Sequence, residues 1–156
     1  MTRRLPLPLI LVGLLLAFAG PVAAHGGPVN TFTDVVKDVT ESFPEVNPCT
    51  GDPGTVTITY NGVFHVTEHP DGHYHVTGTT TGTFVFDTTH PTLPDLNGHF
   101  ATWFGENSNP QTFAATFTFK AQARASDGSR VTISQTAHIT LVGSEVIVEF
   151  DKLRCG

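Results

Sequence analysis

From Phe32 onward the chain alternates apolar and polar residues with a period of two, rich in Val, Thr and Phe, and carries no sustained 3.6-residue apolar pattern. This predicts strands and almost no helix. Three turn signals divide the alternation. The first is His69-Pro70-Asp71-Gly72-His73, in which Pro presets φ, Asp bonds back to the main chain and Gly takes the left-handed position. Pairing His69 with His73 places Val56, Ile58, Tyr60, Phe64 and Val66 on one face with Tyr74, Val76, Phe84 and Phe86; a slip of one residue would separate them. Gly62, Gly78 and Gly82 fall on this apolar face, which predicts rings lying over glycines or sharp bends in the sheet. The second turn, Ser126-Asp127-Gly128, aligns Phe113, Ala115, Phe117, Phe119, Ala121 and Ala123 with Val131, Ile133, Ala137, Ile139 and Leu141, and Gln135 alone interrupts that inner face. The third, Gly143-Ser144, predicts a two-residue loop that brings Val146, Val148 and Phe150 onto the same face and sets His138 opposite Glu149. Two further strands are predicted near Thr31–Phe43, with a bulge, and Gly98–Gly105.

About seven or eight long strands in sequential hairpins, each with one apolar face, predict an up-and-down antiparallel barrel, the alternative being a β-sandwich. In strand length and connection the pattern resembles lipocalin-like (calycin) or allene-oxide-cyclase-like barrels more than immunoglobulin sandwiches.

The N-terminus changes the setting. Arg3 and Arg4 precede an apolar run from Leu5 to Phe18, and Val22 and Ala24 suit the small-residue positions of a cleavage site; residues 1–24 read as a signal peptide and 25–156 as a single all-β domain. Removing Arg3 and Arg4 from eight Lys/Arg leaves six against 14 Asp/Glu and takes the formal charge from −6 to about −8. With no basic cluster to neutralise phosphates, nucleic acid and anionic membrane are excluded as expected partners. Export also oxidises thiols, so Cys49 and Cys155 are expected to pair.

The segments Asn47-Pro48-Cys49-Thr50-Gly51, Thr102-Trp103-Phe104-Gly105, Ser126-Asp127-Gly128-Ser129-Arg130 and Phe150-Asp151-Lys152-Leu153-Arg154-Cys155 resemble a group of uncharacterised secreted bacterial proteins. That resemblance implies export and the disulfide, and no activity.

Four constellations are candidates for chemistry. Cleavage after Ala24 makes His25 an N-terminal histidine, the start of a copper-binding brace to which His99 or His138 would be the partner. His65, His69, His73 and His75 share the outer face of the first hairpin, where two imidazoles can hold zinc or copper. The His138–Glu149 pair is a third candidate, and Asp87, His90 and Asp95 lie in the long Pro-rich loop between strands, at what would be a barrel mouth. The fourth is the aromatic interior, Tyr60, Phe64, Phe84, Phe86, Phe117, Phe119 and Phe150 with Trp103, around a cavity that Gly62, Gly78, Gly82 and several alanines leave room for. The first expectation is therefore a non-enzymatic extracellular protein that holds a small apolar ligand inside a barrel, with Tyr60, Phe64, Phe84, Phe117 and Gln135 as cavity residues. A copper- or zinc-binding protein is the second. A cyclase or isomerase of allene-oxide-cyclase-like type, centred on Gln135, is the third.

Overall fold

The computed structural model describes residues 28–156; the signal-peptide reading and His25 lie outside the described residues. Seven strands follow in chain order: β1 (Asn30–Val46), β2 (Pro53–Glu68), β3 (Tyr74–Thr88), β4 (Leu96–Ser108), β5 (Thr112–Ala125), β6 (Arg130–Val142) and β7 (Glu145–Cys155). They form one antiparallel sheet in the order β1-β2-β3-β4-β5-β6-β7.

The turns set the register as their chemistry predicts. Asp71 Oδ1 accepts from the His73 N–H at 3.1 Å, Gly72 has φ 85°, and Val66 pairs with Val76, Ile58 with Phe84 and Val56 with Phe86. At the second turn Asp127 Oδ1 accepts from the Ser129 N–H at 2.9 Å, and Ala123 pairs with Val131 and Phe119 with Gln135. The expected bulge in β1 falls between Val36 and Val39, with Asp38 at φ 52°.

The third hairpin departs from the expected register. Leu141 pairs with Val146, but Thr140 pairs with Val148, so Ile147 is an extra residue and everything after it moves to the opposite face. Val148 and Phe150 therefore lie on the outer face rather than the inner one, and His138 faces Phe150 while Glu149 faces Ile139, which dissolves the His138–Glu149 pair. The physical reason is downstream. With the bulge Leu153 and Cys155 take the inward positions beside Gln135 and Ile133 that Lys152 and Arg154 would otherwise hold, and Glu149 and Asp151 take those of Val148 and Phe150. The disulfide then forms between Cys49 and Cys155, with 5.9 Å between their Cα atoms.

The sheet is strongly curled. One row of paired residues runs Val39, Tyr60, Gly82, Phe100, Ala121, Ile133, Cys155, yet Cys155 is bonded to Cys49, ten residues beyond Val39. The disulfide thus ties the end of the last strand to the turn that follows the first. The sheet is not closed: among the described residues β1 and β7 do not pair, and stay more than 8 Å apart over nearly all their length. The core lies on the concave side, in one cluster around Tyr60, Phe84, Phe86, Leu96, Phe100 and Ile133 and a second around Phe64, Val66, Val76 and Phe104.

Both expected uses of inward glycine occur. A Cβ at Gly78 would lie 2.4 Å from the Phe104 ring and 2.7 Å from that of Phe64, so the rings occupy the missing side chain's place. A Cβ at Gly82 would lie 2.2 Å from the Thr59 carbonyl oxygen, a backbone approach that bends the sheet.

Candidate functional site

Residues of β1 through β6 converge on one partly open cavity of about 180 Å³ in the concave face. Strands lie about 4.8 Å apart in a sheet, so only the curl can bring β1 and β6 to the same space. Val56, Ile58, Phe84, Phe86, Phe100 and Phe119 belong to its largely apolar wall, and the residues with polar side-chain groups among its lining are Glu45, Asn47, Tyr60, Thr80, Thr102, Thr116 and Gln135.

Of the predicted cavity residues, Tyr60, Phe84, Phe117 and Gln135 line this space, and Phe64 is buried next to it against Phe104, with ring centroids 5.9 Å apart. Phe150 and Trp103 do not join the interior. Trp103 pairs with Thr79 and Thr118 on the convex face and is 41% exposed, and Phe150 is 47% exposed there after the bulge. Trp103 could not be inward, because Phe100 and Phe104 already fix the parity of β4.

Among the described residues no buried polar side-chain atom lacks a partner. The Gln135 amide donates to both oxygens of Asp151, at 3.0 and 3.2 Å, and Asp151 faces inward only because of the β7 bulge. The Thr80 and Thr102 hydroxyls bond each other. Tyr60 donates its hydroxyl to Glu41 Oε1 at 3.2 Å; burial and the Glu41 charge push the phenol above its ordinary range.

A buried inward acid escapes the sequence reading. Glu106 pairs with Val76 and Ala115 on the concave face and is only 5% exposed, with the Tyr74 hydroxyl donating to it. Its signal was parity, since Glu106 continues Phe100, Thr102 and Phe104 two residues at a time once β4 runs past Gly105. Burial raises the Glu106 carboxyl, partly offset by the Tyr74 bond, and burial with that same bond pushes Tyr74 up to about 12. The folded chain thus keeps the Glu106 proton to higher pH than the unfolded chain, so this residue's contribution to stability is greatest below the ordinary glutamate range and declines as pH rises through the raised value. Glu106→Gln, an amide in place of the neutral acid, is expected to raise the unfolding midpoint at about pH 7 and leave it unchanged at about pH 3.5, read by thermal denaturation of both proteins at each pH.

The outer-face histidines are spread among separate partners. His65 Nδ1 bonds the Thr33 hydroxyl at 2.9 Å, His75 Nδ1 bonds Asn107 at 2.6 Å, and His73 Nδ1 pairs with Asp71 at 2.7 Å. The Asp71 carboxyl is held below its ordinary range by the bond to His73. His69 meets His73 edge to face, with centroids 6.4 Å apart. Among the described residues no three His, Cys, Asp or Glu side chains are brought together in a metal-holding group. His99 and His138 both sit on the convex face, the latter bonded to Thr116 at 2.7 Å. Asp95 accepts from the Thr88 N–H at 3.0 Å and holds its own loop.

No family model matches this chain, and neither the curated proteins nor the solved structures compared with it give a match.

Proposed function

We propose that the protein is an exported, extracellular binding protein that takes a small apolar molecule, or the apolar end of a larger one, into its concave cavity. The observation that supports this is the contrast between an almost wholly apolar wall and polar neighbours already bonded to one another. Such a wall offers a ligand dispersion and desolvation, with little directed chemistry. Size narrows the class. A volume of about 180 Å³ exceeds the roughly 150 Å³ of apolar cavities that admit benzene, and falls short of the ~300–1,000 Å³ typical of sites that enclose drug-sized molecules. The occupant is of the order of one or two rings or a short acyl chain, with any remainder emerging at the open side. Export is supported by the disulfide and the N-terminal segment.

N-phenyl-1-naphthylamine, an uncharged fluorescent probe, is expected to bind saturably with a blue-shifted emission. Ala115→Phe, which adds a ring to a 6% exposed lining position, is expected to weaken that binding about tenfold or more while the far-UV spectrum stays that of a β-protein. Titration gives both numbers. An unsaturable signal, or one that Ala115→Phe leaves intact, would place the probe elsewhere and remove the proposal.

A further inference from the structure

We infer that the seam between β1 and β7 is a docking slot for one extended polypeptide strand whose residues alternate basic and apolar, supplied by another molecule. The first observation is directional. In an up-and-down sheet of seven strands the first and last run the same way, so β1 and β7 cannot close on each other with the antiparallel pairing used everywhere else. One added strand, antiparallel to both, can. Among the described residues neither edge is paired on its outer side, along strands of 17 and 11 residues. Their backbones stay more than 8 Å apart over nearly all their length, so neither edge is taken up by the other. The disulfide limits entry to one end, because it holds the far end of β7 to the turn after β1.

The side chains on the two margins specify the occupant. On the concave side the edges carry Glu41 and Glu45 from β1, with Phe43 between them, and Glu149 and Asp151 from β7, followed by Leu153, by their pairing with inner-face residues of β2 and β6. The Lys and Arg residues of β5, β6 and β7, such as Lys120, Arg130, Lys152 and Arg154, are on the convex side. The convex margin of β7 presents Val148 and Phe150, 45% and 47% exposed, ahead of Lys152 and Arg154. Because successive residues of a strand point to opposite faces, a strand with Lys or Arg at every second position and apolar residues between them meets carboxylates on one side and Val148 and Phe150 on the other. A second copy of this chain fits poorly, since its own free edges would set Glu149 and Asp151 against Glu41 and Glu45.

The test uses the disulfide-intact chain and three fluorescein-labelled, end-blocked octapeptides: alternating Lys and Val, alternating Glu and Val, and the Lys–Val sequence N-methylated at every second residue. Fluorescence anisotropy at moderate salt is expected to show saturable binding of the Lys–Val peptide, at least about tenfold weaker binding of each of the other two, and hydrogen-exchange protection gained in β1 and β7. Glu149→Lys, an exposed position, is expected to lower the Lys–Val affinity severalfold. Equal binding of the N-methylated peptide would show charge adsorption without strand addition and overturn the inference. So would absence of binding, or a dimer at working concentration whose β1 and β7 amides are protected without peptide. The naphthylamine titration is independent of all these outcomes.

Discussion

Replacing Cys49 and Cys155 together by Ser is expected to cost the protein about 4 kcal/mol of stability, about 10–15 °C in the unfolding midpoint. The pair closes a loop with a sequence separation of 106, and in the chain-entropy account a loop of that length restricts the unfolded ensemble heavily. The folded state adds a reason of its own. Every residue of β7 is exposed, so this strand is held by its pairing with β6 and by the disulfide at its end, with little burial behind it. Loss of the bond is therefore expected to release β7 before the rest. Urea denaturation gives the total, and hydrogen exchange should find β7 amides unprotected in the variant while those of β2 to β5 stay slow. A loss below about 1 kcal/mol with β7 still protected would mean that the β6–β7 ladder is sufficient alone.

Truncating Phe64 to Ala should be nearly as damaging, at about 3–5 kcal/mol. Its ring is 4% exposed, lies against Phe104, and fills the space left by two glycines: a Cβ at Gly62 would be 2.8 Å from it and one at Gly78 2.7 Å. The lost side chain therefore leaves a hole that its glycine neighbours have no atoms to fill. The same geometry predicts coupling. Gly62→Ala should destabilise the parent, where the added methyl meets the Phe64 ring, and should cost less in the Phe64→Ala protein, where the ring is gone. A denaturation double-mutant cycle measures this; additive effects would show that the ring does not depend on the glycine. Trp103→Ala, on the convex face at 41% exposure, should cost far less than Phe64→Ala.

The first two hairpins were legible because two independent signals agree in each: turn residues fix the pairing, and only that pairing unites the apolar faces. In the third the turn signal held but the strand broke phase. Val146, Val148 and Phe150 are apolar at even positions and Leu153 and Cys155 at odd ones, and such a switch requires a bulge somewhere between. Reading alternation from the turn outward sees only the first set. The phase of the second set, anchored by the disulfide, decides the inward placement of Asp151 and the bond to Gln135. Glu106 was hidden by a boundary, since ending β4 at Gly105 stops one residue short of the buried acid. The cavity residues followed from face alone, whereas the cavity's volume depends on the curl, to which Gly82 and the ten-residue stagger contribute and which periodicity does not encode.

The position of the disulfide also decides how the molecule carries load. Tension applied between Asn30 and the C-terminal Gly156 passes along β1 to Cys49, crosses the sulfur bridge to Cys155 and leaves, so residues 50–154 form a side loop that bears none of it. β1 is already near full extension, at about 3.3 Å per residue. Pulled by its ends, the oxidised protein behaves as a short inextensible tether with β2 to β6 hanging from it unstressed; once reduced, the whole chain lies in the path of the force.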